Sequence, residues 1–329
     1  MAVAALVVVS ARWHGLFDLR IYHGAVRQWL HGGDLYGYRE PGPVRNYGFT
    51  YPPFAALLFA PLALLPLPAA AALLTAASVA GTAALLRVRL RRVRPVLTAL
   101  VVLAAVEPWR DTLSFGQVNL VLLTLVGLDL LVLRNGALAG LATAVKLTPV
   151  LFIAYLVIAR RYREAAVAAG VAAAATGLAW LVAPGASARY WGGLAWQVSR
   201  VGEVGAPADQ SLAGALQRLH APEAVWPLLA LAVVLFWTTR VQAAGDWEGF
   251  ALTGVAMCLI SPIAWVHHLV WELPAVLLLF PRRRLLGLAV VAVLALRLVW
   301  LVPALSLLTL VGIVLLAAVP HDRTSDVSP

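Results

Sequence analysis

One uncharged stretch, Ala165 to Ala183 (AAVAAGVAAAATGLAWLVA), decides the fold class of this chain. It follows the basic cluster Arg160-Arg161-Tyr162-Arg163 and ends at Pro184, where a polar segment begins. About 20 consecutive apolar residues are enough for an α-helix to cross a bilayer. Similar stretches recur along the 329 residues, which are 62% hydrophobic and 12% charged, whereas a soluble domain is nearer a quarter charged. The sequence therefore predicts an all-α, polytopic integral membrane protein with about ten to twelve transmembrane helices.

The basic residues lie in short clusters between the apolar stretches and predict the orientation of the chain. These clusters fall on one side of the predicted topology, at 87–94, 134, 160–163, 240 and 282–284. Because cytoplasmic loops are enriched in arginine and lysine, we place this side in the cytoplasm. The polar stretches mostly fall on the other side, at 18–53, 107–119, 146–149, 185–220 and 261–268. The net charge of +10 thus indicates topology signals and contacts with anionic lipids rather than nucleic-acid binding.

We interpret residues 1–329 as a single multi-span domain of the plasma membrane. The predicted first extracytoplasmic loop is 11–53, in which Leu19 to Leu30 forms an amphipathic helix in the plane of the interface. A further extracytoplasmic loop covers 185–222, and the tail at 320–329 is cytoplasmic. The apolar segment before residue 11 is short for a span, so we expect the protein to begin upstream of Met1.

Two segments read as broken helices. Pro61, Pro66 and Pro68 are expected to divide 54–86 into a short half-helix and a full helix. The apolar runs 136–145 and 150–159 are short for spans and suggest a discontinuous or re-entrant pair. Membranes tolerate such breaks only where protein or a wet cavity covers the backbone.

Asp18 is the candidate catalytic residue, and two roles are open for it. As the N-cap of the 19–30 helix, its carboxylate would satisfy free backbone N–H groups. As a general base near the membrane boundary, beside Phe17 and Tyr22, it would be partly desolvated and have a raised pKa. The two roles are compatible, because a capping aspartate is also well oriented.

Lys146, His267 and His268 are the other candidates for chemistry. Lys146 is the only lysine, and its compact ammonium suits a lipid phosphate, although snorkelling to the headgroups is an alternative. Adjacent histidines on an α-helix point about 100° apart and would not both face one ligand well. One would contact a phosphate or the acceptor, and the other would hydrogen-bond within the bundle, with Glu272 as a possible partner.

The sequence lacks the motifs of metal-dependent, nucleotide-dependent and serine-hydrolase chemistry. With a single cysteine, Cys258, and no matching His or Asp spacing, a metal site is not expected. The chain has no GxGxxG, Walker, HExxH or GxSxG sequence, so no cofactor is expected either. Gln117 and Asn119 offer amides for sugar hydroxyls or for a helix cap. Arg110 either pairs with Asp111 or contributes to a phosphate site.

Seven short motifs, in order along the chain, resemble glycosyltransferase family 87. This family comprises polyprenyl-phosphate-mannose-dependent α-mannosyltransferases of the GT-C type that are common in actinobacteria. The motifs are Asp18-Leu19-Arg20-Ile21-Tyr22, Gly33-Asp34-Leu35-Tyr36, Phe49-Thr50-Tyr51-Pro52-Pro53-Phe54, Gly116-Gln117-Val118-Asn119, Lys146-Leu147-Thr148-Pro149, Asp209-Gln210-Ser211 and Ser261-Pro262-Ile263-Ala264-Trp265-Val266-His267-His268. The family usually has asparagine where this chain has Asp209.

The resemblance implies a GT-C fold with Asp18 as catalytic carboxylate at an active site on the extracytoplasmic face. The donor would be a polyprenyl-phosphate sugar and the acceptor a lipid or glycan. On this interpretation the residues that bind the donor phosphate are Lys146, His267, His268 and Arg110. The substrate-binding candidates are Tyr22, Tyr36, Tyr51, Gln117, Asn119 and Gln210.

The implied reaction is transfer of a mannosyl or other hexosyl group to a hydroxyl with inversion, by a single in-line displacement. Two alternatives remain open at this point. One is a polyprenyl-phosphate-dependent transferase of arabinofuranosyl or another sugar. The other is a lipid or sugar transporter, which broken helices would also suit, although a transporter needs polar groups near the midplane and these gather at one face.

Overall fold

The computed structural model describes residues 13–42, 46–302 and 306–319. Over these ranges the chain is helical, and its only β-structure consists of isolated bridges between Glu40 and Tyr47 and between Asp209 and Trp265. The all-α prediction is confirmed. The predictions for the first ten residues and for the tail at 320–329 lie outside the described residues.

The α-helices are numbered in chain order. They are α1 Phe17–Leu30, α2 Pro53–Leu64, α3 Leu67–Leu90, α4 Val93–Ala105, α5 Glu107–Phe115, α6 Asn119–Leu128, α7 Ala137–Val145, α8 Val150–Ile158, α9 Tyr162–Val182, α10 Pro184–Gly192, α11 Leu212–Arg218, α12 Val225–Gln242, α13 Asp246–Ile260, α14 Leu273–Leu279, α15 Arg284–Ala295 and α16 Leu307–Ala318. A π-helix covers Asp129–Leu133, and short 3₁₀ segments cover Leu194–Trp196, Val198–Arg200, Val266–Glu272 and Leu298–Trp300.

Three of the described helices, α3, α9 and α12, are long and apolar enough to cross a membrane. A fourth crossing is possible where α5 and the 119–133 segment meet at an angle of 115°. Much of the remaining apolar sequence lies in shorter helices, because prolines and glycines interrupt it. The expected ten to twelve crossings are therefore not matched by ten to twelve long helices, and the number of crossings stays a prediction.

Several predicted boundaries are corrected. The half-helix and the full helix are present as α2 and α3, but they separate at Leu65 and Pro66, and Pro61 lies inside α2. The predicted polar loop at 107–119 contains helix α5, whose first residue, Glu107, is buried and pairs with Arg297 at 2.7 Å. Likewise the 185–222 loop contains most of α10 and all of α11.

Helix α1 matches the predicted amphipathic helix and begins two residues earlier. Its buried face includes Leu19, Ile21 and Val26, whereas its last residue, Leu30, is exposed. The chain enters α1 through Leu16, which has a positive φ of 56° and donates its N–H to the Ser114 carbonyl at 3.0 Å. This contact places the start of α1 against the end of α5, where Gln117 follows.

Helices α7 and α9 pack backbone to backbone at two glycines. A Cβ atom on Gly136 would lie 2.0 Å from the carbonyl oxygen of Glu164, and one on Gly140 would lie 2.3 Å from that of Ala168. This is the small-residue spacing that allows close helix crossings in membranes. The crossing fixes α7, and with it the break after Val145 where Lys146 lies.

We expect Gly140→Val to destabilise the fold by about 1–3 kcal/mol or more, because its side chain has no room against the α9 backbone. Gly170→Val is the matched control, since a Cβ atom on that glycine of α9 would meet nothing within 4 Å. Thermal unfolding of both purified variants in detergent measures the difference. Equal melting temperatures for the two variants would contradict the close crossing.

Candidate active site

Six parts of the chain meet at one cluster of polar side chains. They are the first turn of α1 with Asp18, the segment just before α2 with Tyr51, the turn after α5 with Gln117, the start of α6 with Asn119, the break between α7 and α8 with Lys146, and the 3₁₀ segment with His267 and His268. Each contributes from a helix end or a helix break. Helix ends and breaks free backbone and side-chain polar groups that a continuous apolar helix would not offer.

Asp18 lies in the first turn of α1, and its carboxylate faces the cluster. Its Oδ2 atom accepts a hydrogen bond from Gln117 Nε2 at 2.7 Å and lies 3.6 Å from His267 Nε2. The N-cap position of α1 is Leu16, and no side chain caps this helix end. The capping role is therefore wrong, because the helix begins one residue before Asp18.

Burial raises the pKa of Asp18 from its ordinary value to about 6. The ammonium of Lys146, the Gln117 hydrogen bond and His14 act in the opposite direction and stabilise the ionised form. A carboxylate with this pKa is ionised near neutral pH and is a better proton acceptor than an ordinary aspartate. This environment suits a general base.

Lys146 is held among protein side chains. Its Nζ donates to Asn119 Oδ1 at 2.9 Å, lies 3.3 Å from His268 Nε2, and sits 5.5 Å from the centre of the Tyr51 ring. If Lys146 donates to both partners, His268 is neutral and carries its proton on Nδ1. The ammonium is therefore fixed in place at the break between two helices.

The two histidines take part in the same cluster through different partners. His267 faces Asp18 and His268 faces Lys146, and their rings are perpendicular with centres 4.6 Å apart. The two side chains diverge, as expected for adjacent residues of a helix, here a 3₁₀ segment joined to α14, and both still reach the polar cluster. Glu272 is buried, and its Oε2 atom has no hydrogen-bond partner among the described residues.

Gln117 connects Asp18 to two tyrosines. Its Oε1 atom lies 2.8 Å from the hydroxyl of Tyr22, 2.8 Å from that of Tyr51, and 2.9 Å from the backbone nitrogen of Val118. The two tyrosine hydroxyls are 2.9 Å apart. Four of the predicted site residues thus form one hydrogen-bonded chain with Asp18 at its end.

Three other predicted site residues lie outside this cluster. Tyr36 is buried, donates to the Tyr51 carbonyl at 3.0 Å and stacks on Tyr190. Gln210 is buried, where it accepts from the Leu308 N–H at 3.1 Å and donates to the Pro207 carbonyl at 2.8 Å. These contacts join loops to each other and to helices α10 and α16.

Arg110, the third of them, points to the side of α5 that faces the start of the described chain. Its Nε atom lies 3.8 Å from Asp111 Oδ1, and its guanidinium lies 4.9 Å from the Trp13 ring centre. The alternative in which Arg110 pairs with Asp111 therefore matches the observed contacts. The donor-phosphate role of Arg110 remains a prediction.

Two supporting residues were not foreseen from the sequence. His14 stacks on Phe115 with ring centres 4.0 Å apart, and Phe115 lies 4.7 Å from the His267 ring. Helical spacing could not have found His14, because Gly15 and Leu16, both with positive φ, separate it from α1. Asp209 is buried, and its Oδ1 accepts from the backbone N–H groups of Ser211 and Ala264, which supports the loop before the histidines.

Among the described residues, no group of three or more His, Cys, Asp or Glu side chains is arranged to hold a metal ion. An apolar groove of about 480 Å³ is also present, and none of the polar residues of the cluster lines it. It extends from Trp109, Leu120 and Leu273, which are close in sequence to site residues, to Leu90 and Pro95.

The fold and the cluster define an integral membrane protein whose polar site combines a carboxylate of raised pKa, an ammonium and two imidazoles. The model of glycosyltransferase family 87 matches residues 49–262. The chain belongs to this family and is a membrane glycosyltransferase. No solved structure matches it significantly.

Three relatives show how far the similarity extends. The chain is 36% identical, over 98% of its length and 81% of the relative's, to a polyprenol-phosphate-mannose-dependent α-(1-2)-phosphatidylinositol mannoside mannosyltransferase of Mycobacterium tuberculosis. A protein of the same description from Mycolicibacterium smegmatis is 34% identical over 78% of this chain and 68% of its own. An α-(1-2)-phosphatidylinositol pentamannoside mannosyltransferase of the latter organism is also 34% identical, with coverages of 78% and 67%. The transporter alternative receives no support.

Proposed function

We propose that this enzyme transfers a mannosyl group from polyprenyl-phosphate-mannose to a hydroxyl of a phosphatidylinositol-mannoside-type acceptor on the extracytoplasmic face of the plasma membrane. The observation that carries the proposal is the convergence of Asp18 and Lys146 in one cluster. A proton acceptor and a fixed cation in the same site are what a sugar transfer from a phosphate donor requires. The descriptions of the relatives support the choice of donor and acceptor.

In the proposed reaction, Asp18 accepts the proton of the acceptor hydroxyl while that oxygen forms a bond to the anomeric carbon. The bond between this carbon and the phosphate oxygen breaks, and the leaving polyprenyl phosphate gains negative charge. The Lys146 ammonium stabilises that charge as it develops, with His268 as its neighbour. A single displacement inverts the anomeric carbon, so a β-linked donor gives an α-linked product.

His267 has a defined part in this scheme. Its Nε2 atom lies 3.6 Å from Asp18 Oδ2, close enough to tighten to a hydrogen bond when substrate binds. An imidazole N–H at this position would keep the carboxylate oriented. The apolar groove lined by Trp109 and Leu273, each close in sequence to site residues, offers a place for an isoprenoid or acyl chain.

The proposed position of the site on the extracytoplasmic face follows from the charge pattern of the loops. Clusters of arginine such as 87–94 and 282–284 mark cytoplasmic ends of helices under the positive-inside rule. The residues of the polar cluster belong to the opposite set of loops in the predicted topology. A lipid-linked donor is also consistent with a site beyond the reach of cytoplasmic nucleotide sugars.

One experiment tests both the reaction and the face. Sealed membrane vesicles containing the enzyme and radiolabelled polyprenyl-phosphate-mannose are prepared right-side-out and everted, and a membrane-impermeant mannoside acceptor is added outside. We expect labelled α-mannoside product from right-side-out vesicles, and from everted vesicles only after detergent permeabilisation. Transfer by intact everted vesicles alone would contradict the proposed face.

The permeabilised samples separate the remaining alternatives. No transfer from the mannosyl donor after permeabilisation would contradict the proposed reaction. If a polyprenyl-phosphate arabinofuranose donor then gave product in the same membranes, the alternative sugar would be correct. Membranes without the enzyme provide the background.

A further inference from the structure

We propose that Gln117 is a positioning residue that holds the Asp18 carboxylate in its reactive orientation, and that Tyr22 and Tyr51 hold Gln117. This inference rests on the proposed function, in which Asp18 is the base. It replaces the substrate-binding role predicted for these three residues with a role inside the protein. The hydroxyls and the amide are occupied by one another and are thus less available to a sugar.

The amide oxygen of Gln117 is fully used. The hydroxyls of Tyr22 and Tyr51 lie within 2.8 Å of Oε1, and the Val118 backbone nitrogen lies 2.9 Å away. A carbonyl oxygen has two lone pairs, so three donors saturate it. Gln117, Tyr22 and Tyr51 are all buried, which makes the loss of any of these hydrogen bonds costly.

This arrangement fixes which way the amide faces. If the Gln117 amide were flipped, its NH₂ group would meet the Val118 N–H, and its oxygen would face the Asp18 carboxylate. Both contacts would be repulsive, whereas the observed orientation satisfies every partner. The Nε2 donor is therefore directed at Asp18 before any substrate arrives, which is the preorganisation that catalysis requires.

The contact also distinguishes the two oxygens of the carboxylate. Gln117 Nε2 and His267 Nε2 both approach Oδ2, at 2.7 and 3.6 Å. We therefore assign Oδ1 as the atom that accepts the proton from the acceptor hydroxyl. With Oδ2 anchored, rotation of the carboxyl group would break the Gln117 hydrogen bond, so Oδ1 keeps one direction.

The Gln117 hydrogen bond also stabilises the ionised form of Asp18, and its loss raises the pKa of that carboxyl further. Other titratable groups face Asp18 from neighbouring elements and remain in place when Gln117 is changed. These groups are His14, Tyr22, Tyr51, Lys146 and His267. A change in the pH dependence of a Gln117 variant therefore reports the loss of this one donor.

The test is the pH profile of kcat in Gln117→Leu. Activity requires ionised Asp18, so kcat rises as pH increases through the pKa of the enzyme–substrate complex. We expect the acidic limb of the variant to move upward by about one to two pH units, as befits the loss of a hydrogen bond to a charged group. At neutral pH this shift lowers the ionised fraction of Asp18 about two- to tenfold, so kcat should fall by at least that factor, with a smaller change in the KM for either substrate.

A Tyr22→Phe, Tyr51→Phe double variant keeps the packing and removes both hydroxyl donors, so it serves if Gln117→Leu does not fold. We expect the acidic limb of its pH profile to move upward as well, but by less than in Gln117→Leu, because the Val118 N–H still orients the amide. Gln28→Leu is the matched control. Gln28 lies on helix α1, ten positions after Asp18 and roughly 15 Å away from it. There it donates to the Asp34 carbonyl.

Two outcomes overturn the inference. If Gln117→Leu has an unmoved acidic limb and a raised KM, Gln117 is a substrate ligand. If the limb is unmoved in both Gln117→Leu and the double tyrosine variant, Gln117 has no positioning role. Asp18→Asn, assayed alongside, separates this failure from failure of the proposed function. If Asp18→Asn is inactive while the Gln117 limb stays fixed, only the positioning role is wrong.

Discussion

Asp18→Asn is expected to lower kcat by about 10²–10⁴-fold, the usual contribution of a general base. The substitution keeps the size of the side chain and an oxygen that can accept from Gln117, but it removes the basicity that takes the acceptor proton. Because burial opposes the charge of Asp18, the amide should not destabilise the fold. The measurement is steady-state mannosyl transfer with purified, reconstituted enzyme, together with thermal unfolding of the same samples.

Asp34→Asn is the matched control for this prediction. Asp34 lies in the same polar segment as Asp18 but forms an ion pair with Arg189, and both side chains are about half exposed. Exposed pairs of this kind contribute about 1 kcal/mol or less, so this variant should keep its turnover. Undiminished kcat in Asp18→Asn would exclude Asp18 as the base and would make His267, its neighbour, the next candidate.

The sequence was sufficient to find the charged members of the site because charge is expensive in an apolar chain. Asp18 and Lys146 stand out against long uncharged stretches, and the structure brings both into one cluster. The breaks near Pro66 and after Val145 were also predictable, since proline and short apolar runs limit helix length. These features depend on local composition, which is visible without a structure.

The network around Gln117 depends on distant contacts and could not be read from spacing. Tyr22 and Gln117 are 95 positions apart, and Gln117 and Asp18 are 99 apart. Nothing local distinguishes a glutamine that binds sugar from one that holds a carboxylate. Helix α5 was missed for a similar reason, because Glu107 reads as a loop residue until Arg297, 190 positions away, is placed beside it.

The histidine pair was only partly predictable from local geometry. Adjacent helical side chains point about 100° or more apart, and the two histidines do have different partners. The spacing could not show that the 3₁₀ segment Val266–Glu272 directs His267 to Asp18 and His268 to Lys146 within one cluster. Its position is secured partly by Thr112, which donates to the His267 carbonyl at 2.7 Å from a different helix.

Lys146→Met is expected to lower kcat by about 10²–10³-fold, the usual effect of removing one group that stabilises developing charge. Methionine fills a similar volume but leaves the departing phosphate without its cation. Asn119 and His268 lose their donor at the same time. Lys146→Arg should recover only part of the rate, because a planar guanidinium does not fit the place of a compact ammonium between these two partners. Turnover at saturating donor measures both variants.

Whether the Lys146→Met substitution changes kcat or KM then distinguishes two roles for Lys146. If the ammonium acts on charge that appears as the bond to phosphate breaks, kcat falls and the KM for the donor changes little. If it only holds the donor phosphate, the KM rises and kcat is kept, which would contradict the proposed role. Arg163→Met removes one exposed positive charge in the first turn of α9 and should change neither constant. Because Asp18 and Lys146 serve the same transition state, the double variant should lose less activity than the product of the two single losses.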